Sequence, residues 1–145
     1  MLVGECRAGS RKADDVRSVR IVVADKRAEV RSALRLLLEQ EAGLTVVSEA
    51  GTAGDLLDDV ESLGPDVALV DCDLPGVRVT GFLLQVHYAC PGVRVVALCS
   101  RPEMRLVALT AGADAFLCKT EPPETLVELI WEWFEPGERA CGLGQ

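Results

Sequence analysis

The chain has 145 residues, 49% of them apolar and 26% charged, enough for one globular domain whose core needs no disulfide or metal staple. A formal net charge of −8 argues against direct contact with nucleic acid or anionic lipid, both of which need clustered Lys and Arg. No run reaches the ~18 uninterrupted apolar residues of a membrane helix, and the opening MLVGEC lacks the charge and length of a secretory signal, so a cytoplasmic protein is expected.

Residues 1–17 mix small and charged side chains without helical or strand period and read as a flexible N-terminal tail. From Val19 onward, short β-branched runs alternate with longer segments carrying an apolar stripe, the mark of a parallel α/β sheet. VRIVVAD, ending at Asp25, is the first strand, and Val30, Leu34, Leu37 and Leu38 recur on one face of the helix after it. LTVVSEA is the second strand; its helix uses Leu56, Leu57, Val60 and Leu63 and stops at Gly64-Pro65. DVALVD, ending at Asp71, is nearly all apolar, as a central strand covered on both faces must be.

A helix around Phe82 to Tyr88 precedes the fourth strand, VRVVALC, which ends at Cys99. Pro102 suits the first turn of the next helix, which closes at Ala111-Gly112. The short strand AFLC and a last helix after Pro122-Pro123, with Leu126, Val127, Ile130, Trp131 and Phe134, complete the pattern. The expected fold is a doubly wound, five-stranded parallel sheet in the flavodoxin-like order 2-1-3-4-5, with helices on both faces. The organised domain covers residues 18–135, and 136–145 form a C-terminal tail.

The six cysteines, Cys6, Cys72, Cys90, Cys99, Cys118 and Cys141, contain no C-x-x-C pair and read as reduced thiols in a cytosolic protein. Cys99 and Cys118 are placed to approach each other near the strand ends. His87, the only histidine, is expected at or near the surface at a helix end. Trp131, Trp133 and Phe134 give more aromatic area than one helix face needs, and serve either a partner surface or packing against the sheet edge.

In such sheets function gathers outside the carboxyl ends of the strands. Three strands end in charge there: Asp25 after the first, Asp71 after the third, Lys119 after the fifth. Two carboxylates and an ammonium suit phosphoryl chemistry, because an aspartate that accepts a phosphoryl group needs cations near the developing charge. Asp73, before Pro75-Gly76, is foremost a turn residue.

In order along the chain, the acid Asp25, the D-x-x-x-P-G of Asp71 to Gly76, AGADAFLCK ending at Lys119, and the PPE opening the last helix resemble a response-regulator receiver domain, the phospho-accepting half of two-component signalling. The resemblance implies that Asp71 is the phospho-acceptor and that Lys119 contacts its phosphoryl group. It puts Asp25, Asp71 and the backbone carbonyl of Asp73 at the Mg²⁺ site, and makes Phe116 the aromatic that reports phosphorylation. It also implies a histidine kinase or phosphotransfer protein as donor, and no enzyme activity beyond turnover of the protein's own phosphoaspartate.

The sequence departs from the family pattern at three places. Lys26 stands where a second acid is usual, which weakens any Mg²⁺ site; Lys26 faces either the pocket, neutralising it, or solvent. The hydroxyl position at the end of the fourth strand falls on Cys99, followed by Ser100, or on Ala97 if counted back from Lys119 without gaps. The stretch LPGVRVTGFLL is long and carries Thr80-Gly81 where Asp-Gly is typical.

The expected function is a single-domain receiver in a phosphorelay that signals to an unknown protein target, with room for a homodimer through the last helices. Only EPGERACGLGQ follows Phe134, too short for a DNA-binding module. The alternative is a phosphorylation-independent pseudo-receiver that serves as a docking module. A haloacid-dehalogenase-type phosphatase is a remote third reading: VDCDLPGV resembles that family's Asp-x-Asp motif, but here it ends the third strand rather than the first, with no cap domain.

Overall fold

The computed structural model describes residues 18–134; the two segments read as tails, with Cys6 and Cys141, lie outside the described residues. Its elements are β1 (Val19–Ala24), α1 (Ala28–Glu39), β2 (Leu44–Ala50), α2 (Ala53–Leu63), β3 (Val67–Asp71), α3 (Val79–Ala89), β4 (Arg94–Cys99), a short 3₁₀ turn (Pro102–Met104) leading into α4 (Arg105–Thr110), β5 (Ala115–Cys118) and α5 (Pro123–Phe134). The strands form one parallel sheet in the order β2-β1-β3-β4-β5, as the alternating pattern required. Right-handed crossover helices must then cover both faces.

Strand residues alternate between two cores. Val22, Ala24, Ala68, Val70, Ala97, Cys99 and Phe116 pack on one side with α2, α3 and α4. Ile21, Val23, Val67, Leu69, Val96 and Leu98 pack on the other with Leu38 of α1 and Leu126 and Ile130 of α5. The central β3 is buried at all five positions, the reason its sequence shows no polar alternation.

Local chemistry sets the element ends. Thr52 caps α2 by accepting a hydrogen bond from the Asp55 amide at 3.1 Å. Gly76, at φ +90°, closes the turn after Asp71, and a Cβ there would meet the Ala53 Cβ at 3.0 Å. The turn is tied to the start of α2 by the Ala53 amide, which donates to the Pro75 carbonyl at 2.8 Å. Gly112, at φ +120°, makes the equally tight turn from α4 to β5.

Two expectations need adjustment and one open choice closes. Helix α3 starts at Val79, so Thr80-Gly81 belong to its first turn and not to the preceding loop. Pro102 opens a 3₁₀ turn before α4, because Pro fits where an amide donor is not needed. Of the two roles left open for the aromatic end of α5, packing is the one seen: Trp131, Trp133 and Phe134 are partly buried against the second core, and the Trp131 indole N–H donates to Glu41 at 3.4 Å. The Arg94 guanidinium lies 5.4 Å from the Trp133 ring.

Candidate functional site

Register brings the acids together. Ala24 of β1 pairs with Val70 of β3, so Asp25 and Asp71, each one residue further on, emerge side by side at the carboxyl edge. Both are almost wholly buried, at 1% and 2% exposure, where unpaired carboxylates would be costly. Lys119 follows β5, anchored by its own amide to the Cys99 carbonyl at 2.8 Å. From there it reaches over the end of β4, placing Nζ 3.0 Å from Asp25 Oδ2 and 3.1 Å from Asp71 Oδ1.

The remaining bonds distinguish the two acids. Asp25 Oδ1 accepts from the Arg27 amide at 2.9 Å and has the Arg27 guanidinium at 3.7 Å. Burial pushes the Asp25 carboxyl up, but the Arg27 amide bond and the Lys119 ammonium together outweigh it and hold it below its ordinary value. Burial likewise pulls the Lys119 ammonium down, and the bonds to Asp25 and Asp71 more than reverse this. Asp71 Oδ1 accepts from the Asp73 amide at 3.2 Å as well as from Lys119. Asp71 Oδ2 has no hydrogen-bond partner among the described residues.

Asp73 is half exposed, and its side chain pairs with Arg101 Nη2 at 3.0 Å. Sequence reasoning assigned Arg101 no role; a lone arginine just before Pro102 gave no sign of its partner. Lys26 is exposed and has no ion pair among the described residues, so the cation between the two acids is Lys119. Lys26 is carried outward because the chain turns at Asp25 into α1, whose start is fixed by the bond from the Arg27 amide to Asp25.

Cys99 ends β4, directly after the Asp71 to Leu98 pair, whereas Ala97 lies two residues deeper, paired with Phe116. Ser100, one residue on, is exposed. Phe116 is buried in the same core as Cys99, with the Arg105 guanidinium 6.0 Å from its ring. Cys72 and Cys118 flank Cys99: Cys118 is its register partner, and the Cys72 thiol lies close enough to Cys99 to feel it. Burial, and then Cys99, push the Cys72 thiol up to about 12, the behaviour of an inert core thiol. All four described cysteines are free. His87, partly buried, sits in α3 with Nε2 2.8 Å from the Gly112 carbonyl, on the flank of the sheet away from the acids.

A family model of the response regulator receiver domain matches residues 21–131. The chain belongs to this family. It is 29% identical over 112 residues to the nitrate/nitrite response regulator protein NarL of Escherichia coli K12, covering 76% of this chain and 52% of that protein. It is 33% identical over 120 residues to the protein-glutamate methylesterase/protein-glutamine glutaminase 5 of Myxococcus xanthus, covering 81% of this chain and 34% of that protein. The chain thus spans about half, or less, of the length of these curated relatives.

Among solved structures, a CheY-like receiver domain protein from Methanospirillum hungatei superposes with a TM-score of 0.72 at 31% identity, over 81% of this chain and 94% of that one. The receiver domain of NarL from Mycobacterium tuberculosis gives 0.73 at 26% identity, over 82% and 98%. Receiver domains are generally non-enzymatic signalling modules that partner with histidine kinases and typically bind Mg²⁺ at an acidic pocket.

The residues here do not fit that ion well. Among the described residues no group of three His, Cys, Asp or Glu side chains is placed to hold a metal, and the two inward carboxylates already share one ammonium. No helix among the described residues is long and apolar enough to cross a membrane.

Proposed function

We propose that this receiver domain accepts a phosphoryl group on Asp71 and passes the change on through protein contacts. One observation carries the reading: Asp71 has one carboxylate oxygen without a hydrogen-bond partner among the described residues, and a cation 3.1 Å from the other. A nucleophile needs the first and an incoming phosphoryl group the second. Asp71 attacks phosphorus, the bond to the donor's imidazole nitrogen or acyl oxygen breaks, and its electron pair leaves with the donor. Lys119 then exchanges part of its bond to Asp25 for the phosphoryl oxygens. Cys99 and Ser100 end and follow β4 beside the acceptor, and Phe116 shares the core of Cys99, which suits them to contact the group and relay its arrival.

In this reading the acidic metal pocket is degenerate. The second acid is replaced by Lys26, which points to solvent, so Mg²⁺ is held weakly and accelerates phosphorylation little. Acetyl phosphate, with Mg²⁺ or with EDTA, tests both parts. The intact mass is expected to rise by one phosphoryl group in either condition and to stay unchanged in Asp71→Ala.

Cys99 in the hydroxyl position favours a second reading, a phosphorylation-independent docking module, because a thiol is a poorer donor than a hydroxyl. No label on the wild-type chain, with label appearing in Lys26→Asp when Mg²⁺ is supplied, decides for that reading.

A further inference from the structure

Charge at the acceptor does not balance with the residues so far assigned. A phosphoryl group brings roughly −1.5 to −2, whereas Lys119 supplies one positive charge and already shares it with Asp25. Arg27 lies against Asp25, whose carboxylate stays charged when Asp71 is modified, and Lys26 faces solvent. One more cation stands at the rim on the Asp71 side: Arg101, whose guanidinium is 3.0 Å from Asp73 Oδ1.

We propose that Arg101 is a phosphoryl-contacting cation, held beside the acceptor by Asp73 and transferred to the phosphoryl oxygens when Asp71 is modified. The inference rests on the acceptor reading above and names a second cation for the phosphoryl group.

Three features support it. Asp73 is linked to the acceptor itself, since its amide donates to Asp71 Oδ1 at 3.2 Å; the arginine is therefore parked two residues from the reacting carboxylate. The base of Arg101 is fixed to the site, because its amide donates to Cys99 Sγ at 3.4 Å at the end of β4, leaving the long side chain to move about an anchored Cα. The pair it now forms is half exposed on both sides, where an ion pair is worth little and is readily exchanged. A guanidinium binds phosphate through two parallel N–H donors, which a single carboxylate oxygen does not match.

With acetyl phosphate the step balances without further reactants: the Asp71 oxygen bonds to phosphorus, the acyl oxygen to phosphorus bond breaks, and acetate leaves with the electron pair. Arg101 transfers no proton.

The test is the rate of phosphoryl incorporation from acetyl phosphate in EDTA, for wild type, Arg101→Gln, Asp73→Asn and the double variant. Arg101→Gln keeps the backbone bond to Cys99, and thermal melts establish that each chain is folded. Arg101→Gln is expected to be roughly tenfold slower than its parent in both backgrounds, and Asp73→Asn at least as fast as wild type, since it frees the guanidinium and removes a negative charge. An Arg101→Gln rate equal to wild type, a loss seen only when Asp73 is present, or an Asp73→Asn chain slower than wild type overturns the inference alone. A wild-type chain that takes no phosphoryl group overturns the acceptor reading, and the inference with it.

Discussion

Buried aspartates occur at both ends of this sheet, and their partners differ in kind. At the amino end, Asp66 Oδ2 accepts from the Arg20 amide at 2.9 Å, while its own amide donates to the Arg20 carbonyl at 2.8 Å and its carbonyl accepts from the Arg94 amide at 2.9 Å. Asp114, which is exposed, repeats the ladder bond one strand pair further on, its carboxylate accepting from the Val95 amide at 2.7 Å and its amide donating to the Val95 carbonyl at 2.8 Å, and it also lies 3.5 Å from His87 Nε2 and 4.0 Å from the Arg94 guanidinium. Both acids extend the strand ladders through bonds to main-chain amides. At the carboxyl end, Asp25 and Asp71 share a flexible ammonium, and Asp71 keeps an oxygen in reserve. The acids at the amino end are tied to strand amides, whereas those at the carboxyl end are held by a cation that can be redistributed.

The largest effect expected from breaking this contrast is at Lys119. Lys119→Ala leaves two buried carboxylates facing each other and should cost about 3 kcal/mol at neutral pH in urea unfolding, less than a fully enclosed pair because Lys119 is itself partly exposed. Protonation of one carboxyl should restore part of the loss as pH falls, starting above the ordinary value of 3.8 for Asp25, because burial and the facing carboxylate both push the pair up once the ammonium is gone.

Next comes Asp66→Ala, which orphans the Arg20 amide and should cost about 2 kcal/mol while leaving phosphorylation of Asp71 intact. Asp71→Ala should show the reverse, no label and a smaller loss of stability, because only the Asp73 amide and a redistributable lysine lose a partner. Equal stability losses for the two variants would dissolve the distinction between the ends.

The smallest effect is in pH dependence. Asp25 is held below 3.8 in the folded chain, so its contribution is present above that value and is lost as pH falls through the folded value. Asp25→Asn should therefore flatten the acid limb of the stability curve below about pH 4. An unchanged limb would show that Arg27 and Lys119 do not hold Asp25 ionised.

The strand and helix order, the central place of β3 and the gathering of Asp25, Asp71 and Lys119 were legible because each follows from a local pattern plus the rule that parallel strands point one way. Less legible were contacts made by long side chains between loops. Arg101 and Asp73 are 28 positions apart and both lie outside regular elements, where no periodicity indicates direction. The inward turn of Trp131 and Trp133 was equally hidden, since an aromatic cluster at a helix end reads the same whether it meets a partner or its own domain.

By itself the sequence determined the architecture and the meeting of Asp25, Asp71 and Lys119 at one edge, because alternating β-branched and striped segments permit few packings and place strand-end residues there. Only the tertiary structure decided how the site is charged. The Lys119 bridge to Asp25 joins residues 94 positions apart, and Lys26 turns outward because the amide of Arg27 binds Asp25 and sets the course of α1. These are outcomes of where backbone ends and side-chain lengths meet in space, which no residue pattern encodes.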